Sequence, residues 1–152
     1  MEKDKCIFCK IVRNELPNWK IWEDSKHIAF LTPYPNTKGF TVVVTKEHYD
    51  SYAFNLDDKV FLDLCLASKK VGKLLDSKLM TKRTGMIFEG MGINHIHSKL
   101  VPMHNIPDGE WKEIKSNAPE FFENYMGFIS SKDGFKISNE ELDEIQSIIK
   151  AP

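Results

Sequence analysis

The sequence predicts an α+β fold, an antiparallel sheet of about five strands covered by one long helix. Three observations carry this expectation. The run Phe40-Thr-Val-Val-Val-Thr45 is β-branched, as a strand requires. Val60, Phe61, Leu64, Val71, Leu74 and Leu75 recur at helical spacing. Shorter extended segments lie on both sides of this pair, so the order along the chain is strands, helix, strands, helix.

Residues 20–31 read as two short extended stretches around the turn-prone Glu23-Asp24-Ser25. Two prolines and a glycine then impose an irregular loop over 32–39 before the strand over 40–45. Asn55 is the expected N-cap of the long helix, with Asp57 and Asp58 in its first turn, where the helix dipole favours negative charge. Two more strands are expected over 84–88 and 93–101, joined by a tight turn at the glycines of Glu89-Gly-Met-Gly92, and Pro102 ends the second. Residues 105–109 form a loop, 111–125 are ambiguous with some aromatic helix character, and 130–134 make a turn. Ser138-Asn-Glu-Glu141 is a capping box that opens a last helix with Leu142, Ile145, Ile148 and Ile149 inward.

The chain has 152 residues, 41% of them hydrophobic, enough to bury the core of one domain unaided. No internal repeat, low-complexity tract or flexible linker interrupts it. The expected organisation is a core over 1–104 with a C-terminal extension over 105–152 packed on the same domain. Lys plus Arg (21) nearly balance Asp plus Glu (22), which excludes the one-sided basic field of a general nucleic-acid binder. A small anionic ligand remains compatible, because one lysine and a few amides hold a phosphate. The charged start Met1-Glu-Lys-Asp-Lys5, with no apolar run after it, leads to the expectation of a cytoplasmic protein without a membrane span. Three cysteines rule out a full disulfide framework. Cys6 and Cys9 have the two-residue gap that suits a metal or a redox pair, whereas Cys65 reads as a core residue.

The most informative stretch is Gly90-Met-Gly-Ile-Asn-His-Ile-His-Ser-Lys-Leu-Val-Pro-Met-His104. Alternation along a strand would aim Ile93, His95, His97, Lys99 and Val101 one way and Asn94, Ile96, Ser98 and Leu100 the other. Two imidazoles and an ammonium then form a row at steps of about 6.6 Å, within common reach of one small anion. A neutral imidazole attacks phosphorus well when its second nitrogen is held by a hydrogen bond. Lys99 would offset charge on phosphoryl oxygens, and amides around Gly90 and Gly92 would donate to them. A solvent-facing polar row on a half-exposed sheet is the plainer alternative.

The segments Cys6-Ile-Phe-Cys-Lys-Ile11, Ile28-Ala-Phe-Leu31, Gly39-Phe-Thr-Val-Val-Val-Thr-Lys-Glu-His48 and His95-Ile-His97 together resemble the histidine-triad (HIT) hydrolases and transferases, in order and in spacing. The resemblance covers roughly the first two thirds of the chain. It implies a HIT-like fold and a nucleotide substrate cleaved at the α-phosphate, with the middle histidine of the triad forming a covalent nucleotidyl intermediate. That position is His97, and the first is His95. The third is Lys99 rather than histidine. Thr32 stands where the family has an aspartate that grips the ribose, Phe40 replaces a histidine, and Met91-Gly92 occupy the place of a phosphate-binding Gln-Ser pair. The nucleotide-binding residues implied are thus Phe30, Thr32, Gly90, Met91 and Gly92. The resemblance also implies structural zinc on Cys6, Cys9, His48 and His95, no catalytic cofactor, and a homodimer formed through the long helix and an edge strand.

The reaction expected is hydrolysis of a phosphoanhydride or phosphoramidate, with His97, Lys99 and His95 as the catalytic group. Two competitors stay open: a catalytically silent nucleotide sensor or scaffold, and a metal-dependent enzyme with His95 and His97 as ligands. Among the other residues that drew attention, His104 and His27 receive no role, and Trp19, Trp22 and Tyr34 are core or surface aromatics with a base pocket as the alternative.

Overall fold

The computed structural model describes residues 3–106, 120–130, 136 and 138–141, and the chain divides into two units, Met1–Asp108 and Gly109–Pro152. In the first unit the elements run α1 (Ile7–Val12), β1 (Trp19–Glu23), β2 (His27–Leu31), β3 (Thr41–Thr45), a short 3₁₀ turn (Ala53–Asn55), α2 (Asp58–Leu79), β4 (Arg83–Ile87) and β5 (His97–Met103). The five strands form one sheet in the order β1-β2-β3-β5-β4, and every neighbouring pair is antiparallel. This is the α+β arrangement that the sequence predicts.

Side-chain alternation gives the sheet two buried faces. Ala29, Val43, Ile96 and Leu100 pack with Leu64, Ala67, Val71 and Leu75 of α2. Ile28, Phe30, Val42 and Val44 pack with Cys6, Phe8, Cys9 and Ile11 around α1. Each buried Val, Leu, Ile or Phe side chain among these contributes about 1.5–3 kcal/mol. On the α2 side, Ser68 and Ser98 are fully buried and satisfy each other through an Oγ–Oγ hydrogen bond of 2.6 Å. A hydroxyl buried without such a partner would be costly.

Two local expectations are corrected. The N-cap of α2 is Asp57, whose carboxylate accepts from the Lys59 amide at 2.9 Å; Asn55 is taken up by the 3₁₀ turn before it. β5 begins at His97 rather than at residue 93, because Gly90 and Gly92 take positive φ and the chain stays bent until Ile96. His95 therefore precedes the strand. The alternation survives from Ile96 onward, with Ile96, Ser98 and Leu100 toward α2 and His97 toward α1. The helix α1 has no counterpart in the sequence reading.

In the second unit the capping box forms as expected: the Glu141 amide donates to Ser138 Oγ (3.1 Å) and the Ser138 amide to Glu141 Oε2 (2.9 Å). Residues 120–125 form no helix. The expected turn over 130–134 apart from Ser130, the rest of the 111–125 segment and the inward residues Leu142, Ile145, Ile148 and Ile149 lie outside the described residues.

Candidate functional site

Two side-chain constellations meet at the start of β5. The first joins α1 to the sheet. Cys6 caps α1 and Cys9 follows three residues later, so both thiols point from one helix face. Antiparallel pairing of Val44 with His97 brings the segment after β3, which carries His48, alongside His95. One ligand atom from each of Cys6, Cys9, His48 and His95 falls within 4.8 Å of all the others.

These distances suit a metal. Thiolate and imidazole bonds of about 2.3 and 2.1 Å at tetrahedral angles separate sulfur and nitrogen by about 3.6 Å. The structure has His95 Nδ1 at 3.5 Å from Cys6 Sγ and 3.5 Å from Cys9 Sγ, and His48 Nδ1 at 3.3 Å from Cys9 Sγ. His95 Nε2 donates to the Thr45 carbonyl at 2.8 Å, which leaves the Nδ1 lone pair facing the sulfurs, the tautomer a metal ligand needs. Burial depresses the His95 imidazole to about 4, so it is neutral near pH 7. Burial, then hydrogen bonding with and charge on Cys6, push the Cys9 thiol up to about 11; a central cation would reverse this. Two sulfurs and two imidazoles are the donor set of structural zinc, with all four positions filled by protein.

The second constellation lines a cavity of about 570 Å³ on the α1 face of the sheet. His97 and Lys99 of β5 reach it, with Phe30, Thr32, Met91 and Gly92 among its other lining residues. His97 is only 4% exposed, which removes the reading of a solvent-facing row. Its Nδ1 donates to the His95 carbonyl at 2.7 Å, so Nε2 keeps the lone pair. Burial, reinforced by the Lys99 charge and opposed by the His95 carbonyl, lowers the His97 pKa and favours the neutral, nucleophilic form. Phe8 stands edge-on to both imidazoles, with ring centroids 5.8 Å from His95 and 5.2 Å from His97.

The structure thus gathers His97, Lys99, Phe30, Thr32, Met91 and Gly92 at one cavity, and Cys6, Cys9, His48 and His95 at one centre. Gly90 is not in the cavity lining; its carbonyl accepts from Ser51 Oγ at 2.8 Å, and a Cβ there would press to 3.3 Å on the Ser51 carbonyl. Thr32 Oγ1 accepts from the Tyr34 amide at 3.2 Å. His95 and His97 do not share a ligand centre, since His95 Nδ1 faces the sulfurs while His97 Nδ1 is committed to a carbonyl. His27 is buried against Asp24, with Nδ1 3.1 Å from Asp24 Oδ1, and His104 Nε2 donates to the Lys38 carbonyl at 2.8 Å. Two residues were not legible in the sequence. Glu89 forms an ion pair with Lys99 Nζ, and Phe8 reaches the imidazoles from α1.

The geometry defines a protein with a buried imidazole at an apolar cavity beside a cluster of two cysteines and two histidines that could hold a metal ion. No family model matches the chain. An uncharacterized HIT-like protein of Methanocaldococcus jannaschii is 34% identical over 113 residues, 69% of this chain and 83% of that protein. An adenosine 5'-monophosphoramidase of Schizosaccharomyces pombe is 32% identical over 102 residues, 66% and 75% of the two chains. The solved structure of a zinc-bound histidine triad family protein from Mycobacterium smegmatis shares the fold, with a TM-score of 0.63 at 20% identity over 76% of this chain and 86% of that one. The chain belongs to the HIT family. Among the described residues no helix is long and apolar enough to cross a membrane.

Proposed function

We propose that this protein hydrolyses a nucleoside phosphoanhydride or phosphoramidate at the α-phosphorus, with His97 as nucleophile. The observation that supports this most is the His97 ring: buried, neutral, with Nδ1 tied to the His95 carbonyl and the ring at the cavity wall. In the reaction Nε2 attacks phosphorus, the leaving group departs, and water then releases the nucleotide from the imidazole. Lys99 offsets charge on the phosphoryl oxygens, and the apolar walls around Phe30 receive the base. The phosphoramidase activity named for the fission yeast relative supports the same class of chemistry.

Zinc is proposed at Cys6, Cys9, His48 and His95. When bound it pins α1 to the sheet and fixes His95, whose carbonyl orients His97. A homodimer through α2 and the edge strand β4 is proposed as well, supported by the exposure of Leu62 and Leu66 on α2 and of Met86 on β4.

The test is turnover of dinucleoside polyphosphates and nucleoside phosphoramidates by the native protein and by His97→Ala. Turnover of either class that is abolished by the substitution supports hydrolysis at His97. Nucleotide binding without turnover would instead favour a silent sensor.

A further inference from the structure

Lys99 lies two residues beyond His97 on β5, lines the same cavity and pairs with Val42 where His97 pairs with Val44. Its Nζ meets Glu89 Oε2 in an ion pair. The carboxylate is the more enclosed partner, with 12% of its side chain exposed against 29% for Lys99. Its backbone is anchored on both sides, by β4, which ends at Ile87, and by Gly90, whose carbonyl is tied to Ser51. A lysine stem is a flexible four-carbon chain with many rotamers. Glu89 restrains that freedom and keeps the ammonium at the cavity wall.

Lysine and histidine do different chemistry at this place. An imidazole passes a proton readily near neutral pH, whereas an ammonium is a compact positive charge with three donors and no acceptor. An amine leaving phosphorus needs a proton. A phosphate oxygen leaving phosphorus carries its electron pair away as an anion and needs only its charge offset.

We propose that the Glu89–Lys99 pair makes this site selective for an anionic phosphate leaving group over an amine, so that nucleoside phosphoanhydrides are cleaved in preference to phosphoramidates. The inference rests on the reading of His97 as nucleophile. His97 Nε2 bonds to the α-phosphorus while the bond from that phosphorus to the bridging oxygen breaks. The electron pair of that bond leaves on the departing phosphate, whose added charge is offset by Lys99. Water oxygen then bonds to the α-phosphorus, the N–P electron pair returns to Nε2, and the proton lost by the water goes to solvent. Glu89 is a positioning residue in this scheme, because it acts through Lys99.

The experiment compares kcat and KM for diadenosine tetraphosphate and adenosine 5'-phosphoramidate in the native protein, Lys99→His, Lys99→Arg and Glu89→Gln, each checked for folding by thermal melting. The native protein should favour the tetraphosphate by about tenfold or more in kcat/KM, and Lys99→His should erase or reverse that preference. Lys99→Arg keeps the charge and should keep the preference, which leaves a second arm if the histidine variant does not fold. Glu89→Gln should lower kcat on the tetraphosphate by about tenfold with little change in KM, and slow the phosphoramidate by no more than about twofold. A native preference for the phosphoramidate, or variants that slow both substrates equally, would overturn the selectivity and leave His97 as nucleophile intact. Absence of turnover on both substrates would overturn the nucleophile reading and the selectivity with it.

Discussion

His97 donates its Nδ1 proton to the main-chain carbonyl of His95 at 2.7 Å, while the side chain of that same His95 faces two cysteine sulfurs at 3.5 Å. One residue thereby connects the Cys6, Cys9, His48 and His95 cluster to the imidazole at the cavity. Its side chain belongs to the first and its carbonyl to the second.

From this linkage, metal removal is expected to act in two ways. The protein as purified should carry stoichiometric zinc by elemental analysis, and chelation should lower its melting temperature by releasing α1 from the sheet. Turnover should fall by roughly tenfold without being abolished, since the metal only steadies the His95 carbonyl. Cys9→Ser and His48→Ala should show the same pattern. Full activity and an unchanged melt in the metal-free protein would contradict the linkage.

The α2 face of the sheet should be the thermodynamic core. Leu64 is fully buried against Ala29 and Val43, so Leu64→Ala is expected to cost about 2–5 kcal/mol in urea unfolding. Leu62 is more than half exposed in the same helix. Leu62→Ala should cost under about 1 kcal/mol in the dissociated chain. Equal costs at the two positions would place the core elsewhere.

A pH dependence is expected from the β1–β2 turn. Asp24 accepts from the amides of Lys26 (2.8 Å) and His27 (2.7 Å) and from His27 Nδ1 (3.1 Å). Burial pushes its carboxyl up, but these hydrogen bonds outweigh it and the net shift is downward. A carboxyl lowered in the folded state stabilises fully above its unfolded value, about 4, and the stabilisation is lost as pH falls below that. Asp24→Ala should therefore cost about 1 kcal/mol at pH 7 and progressively less in acid, read from unfolding curves between pH 7 and pH 3. A cost that does not change with pH would contradict the assignment.

The proposed pairing of two chains predicts that Leu66→Glu, on the exposed side of α2, yields a monomer by sedimentation while the fold persists. A dimer that survives this substitution would exclude that surface.

Much of this was legible in the sequence, for reasons that are local. The β-branched run at 41–45 and the helical spacing of Leu64, Val71 and Leu75 encode their own periods, and both appear where expected. In the candidate metal cluster Cys6 and Cys9 are marked by their spacing, but His48 and His95 were accessible only through resemblance, because 39 and 86 residues separate them from Cys9. The start of β5 was misplaced because Ile93 and His95 fit the strand alternation, while Gly90 and Gly92 at positive φ hold the chain in a bend. The helix α1 spans six residues, too few to show a helical period, and its stability comes from packing Phe8, Cys9 and Ile11 on the sheet. Glu89 was unreadable because its partner is ten residues away, across the β4–β5 turn.

The central claim is that His97 bonds to phosphorus, and the most direct measurement is mass spectrometry of the protein quenched during turnover of a nucleoside phosphoramidate or dinucleoside polyphosphate. A nucleoside monophosphate mass added to the peptide bearing His97, labile in acid and absent from His97→Ala, is the predicted result. Turnover in which no adduct accumulates under rapid quench and the His97→Ala protein remains as fast as the native one would contradict it.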